Sequence, residues 1–205
     1  MENVIIRKAV LSDIPHFFEI CLKTGDSGRD ASEIYFDPYL LGYYYASPYL
    51  LFPDGVCFVA EYEYCPQGYI IAAPDTLAFN KWMEEEWLPP LRRRYPLPFP
   101  PEKIRSEKEK KLIETLHINL CTSDTDVRLT NYPAHLHIDL LPCLQGKGMG
   151  SKLMNTLFVE LKKRGIPGIH LGVGSSNTDA IEFYKKLGFS VLQEQTWGFT
   201  MGYKL

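Results

Sequence analysis

The amino-acid sequence predicts an α/β fold of the α+β type, with a mixed central sheet of about seven strands and helices on both faces. Several short stretches read as strands, and the clearest of them alternate apolar and polar residues with a period of two. Between them lie stretches whose apolar residues recur every three or four positions, as on one face of a helix. The 205 residues contain no internal repeat, which predicts a single domain, 1–205, with a sizeable core.

The first part of the chain reads as a strand, a helix, a loop, a short helix and a hairpin. Ser12 is suited to begin the first helix, whose apolar residues follow the helical spacing. The loop, 24–37, combines turn-forming residues with charges of both signs, and Asp37 followed by Pro38 favours a new helix start. The predicted strands of this part are Val4–Ala9, Val56–Tyr62 and Gly68–Ala73.

Tyrosines crowd the short helix and its flanks. Rings with hydroxyl tips could line a substrate slot, but aromatic residues at helical spacing also pack in cores. The sequence leaves both interpretations open for Tyr35, Tyr39, Tyr43, Tyr44, Tyr45 and Tyr49.

The segment at about 82–118 is predicted to be an insert that combines irregular Pro-rich chain with helix. A helix capped by Asp75 precedes it, and Ser106 begins a capping box for another helix within it. Between them, 89–101 is rich in proline, which fixes φ and removes a hydrogen-bond donor, so we expect no regular structure there. The arginines 92–94 within this run could bind an anionic group or form a solvated basic surface.

The stretch 135–189 carries the clearest pattern, with the order strand, glycine turn, helix, strand, helix. After the first strand, 145–150 places glycines where an amphipathic helix begins. The first N–H groups of such a helix lie at the positive end of its dipole and can bind a phosphate or pyrophosphate group. A second strand, Gly168–Gly174, and a helix opened by Asn177 complete two neighbouring βα units.

The motif Gln-x-x-Gly-x-Gly after a strand, followed by Asn-x-x-Ala-x-x-Phe-Tyr-x-Lys-x-Gly-Phe, resembles the GNAT superfamily of acetyl-CoA-dependent acyltransferases. The resemblance implies that the strand pairs its backbone with the pantetheine arm of acetyl-CoA and that the glycine turn binds the pyrophosphate. It also implies that an Asn and a Tyr of the later helix reach the arm and the thiol. The matching positions are Leu140, Leu141, Gln145, Gly146, Lys147, Gly148, Met149, Gly150, Asn177 and Tyr184.

Acetyl transfer to an amine requires a base for the amine and an acid for the departing thiolate. Tyr184 is the predicted acid, because a phenol pKa of about 10 lies close to the thiol value of about 8.5. The base is not fixed by the sequence. His137 is the first choice because an imidazole pKa is about 6.5, with His135 and Asp139 on the same strand face as alternatives. Asp26 and Asp75 are weaker candidates, and all of these residues could instead be structural.

The segments TGDSGRDASEIYFDP, GYIIAAPDT, EEEWLPPLRRRYP and HLHIDLLP are similar to a GNAT subgroup related to the C-terminal acetyltransferase-like domain of O-GlcNAcase. That resemblance implies two classes of function. The first is an N-acetyltransferase acting on a small amine or amino sugar rather than on a protein lysine. The second is a module that binds acetyl-CoA without turnover, as a pseudo-enzyme or sensor.

The composition of the chain argues against several other classes of protein. A net charge of -3 argues against a nucleic-acid partner, and no apolar run is long enough to predict a membrane span or a signal peptide. The five cysteines show no metal-ligand spacing, which predicts no metal and a reducing, cytoplasmic compartment with access to the nucleus. The expected assembly is a monomer or a homodimer.

Overall fold

The computed structural model describes residues 4–123 and 128–205 and contains a seven-stranded sheet of order β1-β2-β3-β4-β5-β7-β6. Neighbouring strands are antiparallel, except that β4 and β5 are parallel. The predicted mixed sheet is therefore confirmed. The strands are β1 (Val4–Lys8), β2 (Val56–Tyr62), β3 (Cys65–Ala73), β4 (Ala134–Leu140), β5 (Gly168–Gly174), β6 (Ser190–Gln195) and β7 (Gly198–Lys204).

Helices cover both faces of the sheet, as predicted. Short 3-10 turns at Leu11–Asp13, Pro101–Lys103 and Leu120–Ser123 connect several of the elements. In chain order the helices are α1 (Ile14–Thr24), α2 (Leu40–Tyr45), α3 (Ser47–Leu51), α4 (Thr76–Trp82), α5 (Leu88–Arg94), α6 (Glu107–Thr115), α7 (Arg128–Asn131), α8 (Met149–Lys163) and α9 (Thr178–Lys186). None of the helices in the described residues is both long and apolar enough to cross a membrane.

Two hydrophobic cores lie on opposite faces of the sheet. Successive side chains of β3 point to opposite faces of the sheet, so this strand contributes to both cores. Tyr69 and Ile71 pack on the face covered by α1 to α6, whereas Ile70 packs against α8 and α9. We call these the α1 face and the α8 face. Ile169 and Leu171 of β5 also point to the α8 face, so the parallel strands at the centre are covered on both sides.

The insert is more regular than its prolines suggest. We expected no regular structure at 89–101, but Leu88–Arg94 forms helix α5, joined to α4 by a π-helical turn at Met83–Trp87. The expectation was wrong for residues 89–94 because Pro89 and Pro90 lie in the first helical turn, where a backbone N–H needs no partner.

Two arginines of the insert form ion pairs within the chain. Arg92 forms a bidentate ion pair with Glu84 and donates from Nε to the C=O of Leu116 at 2.7 Å. Arg94 pairs with Asp37 at 3.0 Å. Both side chains therefore bind partners within the chain, an arrangement that differs from both the anion site and the solvated basic surface considered from the sequence.

Candidate active site

A cleft opens where the two parallel strands diverge. Along β4 and β5, all of whose residues are described, pairing is confined to Ala134 with Ile169 and His135 with His170. The other edge of β4 pairs with β3 from Ala73–His135 to Gly68–Leu140. Beyond the second pair, the edge of β4 that faces β5 therefore lines an opening in the sheet.

The backbone of β4 supplies polar groups to this cleft. The N–H of Leu141 donates to the C=O of Gln67 at 2.9 Å, on the side of β3. Because alternate residues of a strand direct their backbone groups to opposite edges, those of Ile138 and Leu140 face the cleft. The N–H of Leu141 is thus used within the sheet, whereas that of Leu140 is directed to the opening.

The cleft has a volume of about 700 Å³ and is bounded by β4, the glycine turn, α9 and the loop after α1. It brings together residues far apart in the chain, from Thr24 to Tyr184. Those predicted from the sequence that line it are Asp139, Leu140, Gln145, Gly146, Asn177 and Tyr184.

The glycine turn has the backbone geometry of an anion site. Gly146 and Gly148 have φ values of 66° and 74°, a left-handed conformation that glycine adopts at little cost. Helix α8 begins directly afterwards, and its first intrahelical bond runs from Lys152 N–H to Gly148 C=O. The N–H groups of residues 149–151 precede that bond. A Cβ built on either Gly146 or Gly148 would meet nothing within 4 Å, so the turn faces open space in which a bulky anion fits.

The side chains within this turn do not all reach the cleft. Lys147 Nζ donates back to Cys143 C=O at 2.7 Å, and Met149 is buried in the α8-face core. Gln145 Nε2 donates to Leu140 C=O at 2.7 Å and ties the turn to the end of β4. Gly150 lies against Phe183, since an added Cβ would be 3.1 Å from its ring. Along 147–150, the groups that this turn presents to the cleft are therefore those of its backbone.

Helix α9 places Asn177 and Tyr184 on the opposite side of the cleft. Asn177 caps the helix, because its Oδ1 accepts from Ala180 N–H at 3.3 Å. Tyr184 is 8% exposed and lines the cleft. Burial raises the pKa of its phenol above the ordinary value, and the nearby charge of Asp139 raises it further. The hydroxyl is therefore protonated at neutral pH, as a proton donor must be, but the shift moves its pKa away from the thiol value on which the choice of Tyr184 from the sequence rested.

Asp139 is a carboxylate held at the centre of the site. The hydroxyl of Tyr69, a fully buried residue of β3, donates to Asp139 Oδ2 at 2.6 Å. Burial raises the pKa of Asp139, and the hydrogen bonds from Tyr69 and Thr24 oppose that rise. The net effect moves this carboxyl towards the range in which a general base is effective.

The two histidines of the same strand face differ. Both ring nitrogens of His135 have partners, Thr76 Oγ1 at 2.8 Å and the Tyr49 hydroxyl at 2.7 Å. Burial lowers the pKa of His135 well below its ordinary value, so it is a neutral, hydrogen-bonded ring. His137 contacts the Tyr45 and Tyr49 rings, and burial lowers its pKa to about 4. Neither imidazole has the near-neutral pKa that made it attractive in the sequence.

A second cavity of about 350 Å³ continues from the cleft along the α1 face. It shares Asp139, Asn177 and Tyr184 with the first and extends down to His137 and Gly172. Tyr35 and Tyr45 line it, whereas Tyr49 is buried in the core beneath. The tyrosine-rich segment is therefore divided between a cavity wall and a core.

The loop after α1 is the part of the site that our sequence reasoning missed. Thr24, Ser27 and Gly28 line both cavities, and Arg29 lines the first. The positive φ of Ser27 and Gly28 fits the turn-forming composition of 24–37, which was the available signal. Asp26 instead pairs with Lys108 at 2.6 Å, and Asp75 caps α4. Within 4–123 and 128–205 no cluster of three or more His, Cys, Asp or Glu is placed to hold a metal ion.

Comparisons with known proteins agree on one family. Residues 104–189 match the model described as "Acetyltransferase (GNAT) family". The crystal structure of SsHAT superposes with a TM-score of 0.85 at 31% sequence identity, covering 98% of each chain. A stretch of 48 residues is 48% identical to the "Uncharacterized N-acetyltransferase MJ1207" of Methanocaldococcus jannaschii. That stretch spans 23% of this chain and 21% of the relative, about a fifth of its length.

Two more distant structures share the fold and contain a coenzyme. PaiA N-acetyltransferase from Thermoplasma acidophilum in complex with coenzyme A has a TM-score of 0.58 at 17% identity, with 99% of each chain covered. YncA from Salmonella typhimurium with acetyl-CoA has a TM-score of 0.58 at 18% identity, covering 99% of this chain and 94% of that one. At these identities the likeness concerns the fold.

Proposed function

Because this chain belongs to the GNAT family of acetyltransferases, we propose that it transfers the acetyl group of acetyl-CoA directly to a primary amine in a ternary complex. The acceptor is a small molecule or amino sugar rather than a protein lysine. One observation carries the proposal: β4 and β5 diverge at the point where the glycine turn, Asp139 and Tyr184 meet in one cleft. Acetyl-CoA supplies the activated acetyl group as a thioester.

The cleft offers a separate group of atoms for each part of the donor. The open backbone turn at 145–150 and the first N–H groups of α8 bind the pyrophosphate. The edge of β4 that does not pair with β5, at Ile138 and Leu140, binds the amide-rich pantetheine arm, together with Asn177. Such positioning contributes about 7–11 kcal/mol to lowering the barrier. The structures from T. acidophilum and S. typhimurium, which share the fold and contain coenzyme A or acetyl-CoA, support acetyl-CoA as the ligand of this cleft.

Three groups of the chain act on the reaction itself. Asp139 accepts the proton of the incoming ammonium, because its raised pKa makes it a better base than an ordinary carboxylate. The N–H of Leu140 faces the cleft and stabilises negative charge on the thioester oxygen. Tyr184 donates a proton to the departing thiolate. Burial moves the pKa of His137, the first choice from the sequence, away from neutrality, whereas burial raises the pKa of Asp139.

The hydrogen bond from Tyr69 lowers the pKa of Asp139. Tyr69→Phe removes the donor that favours the ionised carboxylate, so the pKa of Asp139 is expected to rise further. A hydrogen bond to a charged group contributes about 1.5–3 kcal/mol, which is large enough to move the pKa measurably. Titration of the Asp139 carboxyl by ¹³C NMR measures the shift, with Asp139→Asn identifying the resonance. An unchanged pKa in Tyr69→Phe would show that this contact does not tune the carboxyl.

Asn177 has two roles that one substitution can separate. Serine also caps helices, so Asn177→Ser preserves the start of α9 while it removes the amide that binds the pantetheine arm. We expect affinity for acetyl-CoA to fall by about 1–3 kcal/mol while the unliganded stability changes little. Calorimetric titration and urea unfolding measure the two quantities. Unchanged affinity in this variant would leave Asn177 as a helix cap alone.

A second candidate function is binding of acetyl-CoA without turnover. The engaged ring nitrogens of His135 and the lowered pKa of His137 favour it, because they leave the site without an imidazole base. The resemblance to the O-GlcNAcase subgroup, which we retain as a hypothesis, points the same way. Thiol release from acetyl-CoA with a panel of amines separates the candidates. Amine-dependent release establishes the enzyme, whereas tight binding with only background hydrolysis across the panel establishes the module.

The compartment is also a proposal. We infer a cytoplasmic location, which is supported by the odd number and scattered spacing of the five cysteines, at positions 21, 57, 65, 121 and 143.

A further inference from the structure

The two cavities differ in the charged side chains that line them. The cleft assigned to acetyl-CoA is lined by Arg29 as well as by Asp139 and Asp179, and its continuation past Cys143 is lined by Lys23, Arg29 and Asp30. The second cavity contains neither Arg29 nor Lys23. Of the described side chains that line the second cavity, Asp139 is the one carboxylate, and none is lysine or arginine.

The remaining ionisable groups of the second cavity are neutral. Burial raises the pKa of Tyr35 to about 12 and raises that of Tyr45 as well. Cys21 is likewise kept as a thiol by burial, and His137 is uncharged at neutral pH because burial lowers its pKa to about 4. The cavity therefore presents a single negative charge, at its junction with the donor cleft.

Aromatic rings form part of the wall of this cavity or lie against it. Tyr35 and Tyr45 line the cavity, and Trp197 of the β6–β7 turn covers Gly172 so closely that a Cβ there would lie 2.9 Å from its ring. Ring faces attract cations, and a carboxylate attracts an ammonium group at short range. An acceptor with its own carboxylate or phosphate near the nitrogen would bring that anion close to Asp139 with no cation to pair with it.

We propose that, in the N-acetyltransferase proposed above on which this inference rests, the second cavity selects amines that carry no carboxylate or phosphate close to the reacting nitrogen. The acceptor is then a cationic amine with an uncharged body. Amino acids and phosphorylated amino sugars are excluded by charge rather than by size.

Matched pairs of amines test the selection. Tyramine and L-tyrosine differ by one carboxylate, and glucosamine and glucosamine 1-phosphate differ by one phosphate on the carbon next to the amine-bearing carbon. We expect kcat/KM to be at least about 100-fold higher for tyramine and for glucosamine than for their anionic partners, because a buried unpaired charge is costly. Calorimetry on the protein saturated with CoA supplies the same ratio as dissociation constants where turnover is slow.

A charge introduced at the cavity rim supplies the control. Ser27 is exposed and lines both cavities, so Ser27→Lys adds a cation beside the acceptor without disturbing the core. We expect Ser27→Lys to reduce the kcat/KM ratio within each pair of amines by about tenfold, whereas the neutral Ser27→Gln leaves this ratio unchanged.

Each outcome decides one point. Equal or reversed preference within the pairs would overturn the charge selection. So would the failure of both uncharged-body amines to bind or react at millimolar concentration while CoA binds. Absence of CoA binding would instead refute the proposed function itself.

Discussion

Tyr184→Phe is expected to lower kcat by about 10²–10⁴ with little change in affinity for acetyl-CoA. The substitution removes one hydroxyl and preserves a ring that is 8% exposed and packs against Phe189 at 5.5 Å. If that hydroxyl protonates the departing thiolate, chemistry is lost while binding remains. Steady-state kinetics with a working acceptor, together with calorimetric titration of acetyl-CoA, measure the two effects separately.

Tyr203→Phe is the matched control for this prediction. Tyr203 stacks on Phe158 at 4.6 Å within the α8-face core and lines neither cavity. Removal of the Tyr203 hydroxyl should therefore leave kcat unchanged. A Tyr184→Phe variant that turns over as fast as the parent would show that the acid is another group or water. A loss of stability of about 0.5–1.5 kcal/mol with unchanged kcat would make Tyr184 a structural residue.

Gly148→Asp is expected to weaken acetyl-CoA binding by at least about 100-fold. The new carboxylate lies at the start of α8, where the pyrophosphate is proposed to bind, and like charges in contact cost several kcal/mol. The residue also holds a φ of 74°, so any side chain there adds backbone strain. Calorimetric titration of the variant and the parent protein measures the loss.

Gly148→Asn separates charge from strain. Asparagine tolerates the left-handed conformation about as well as aspartate, and no described atom lies within 4 Å of a Cβ at this position. We expect the asparagine variant to bind at least tenfold more tightly than the aspartate variant. Equal losses in both would assign the effect to the backbone, and unchanged binding in both would place the pyrophosphate elsewhere.

The local elements around the cleft were predictable because each depends on neighbouring residues. The alternation of 135–141, the glycines of 145–150 and the cap at Asn177 specify strand, turn and helix through short-range sterics and hydrogen bonds. The same reasoning failed at Pro89 and Pro90, where composition suggested irregular chain but position within the first turn permits a helix.

The site itself depends on contacts between distant residues, which periodicity does not encode. The divergence of β4 from β5 is a property of the pairing of two strands, and nothing in either strand alone signals it. Asp139 became the preferred base because burial shifts its pKa opposite to that of His137, and Tyr69, 70 positions away, holds the carboxylate in place by a hydrogen bond. The ion pair of Arg92 with Glu84 likewise depends on how the insert folds back on itself.

The most direct test of the account is the unfolding free energy of the unaltered protein with and without acetyl-CoA. A ligand that binds the folded chain alone stabilises it by RT ln(1 + [L]/Kd), about 2.7 kcal/mol when its concentration is 100 times Kd. We predict a rise of this size in urea unfolding at saturating acetyl-CoA. An unfolding curve that does not move at millimolar acetyl-CoA would contradict the assignment of the cleft.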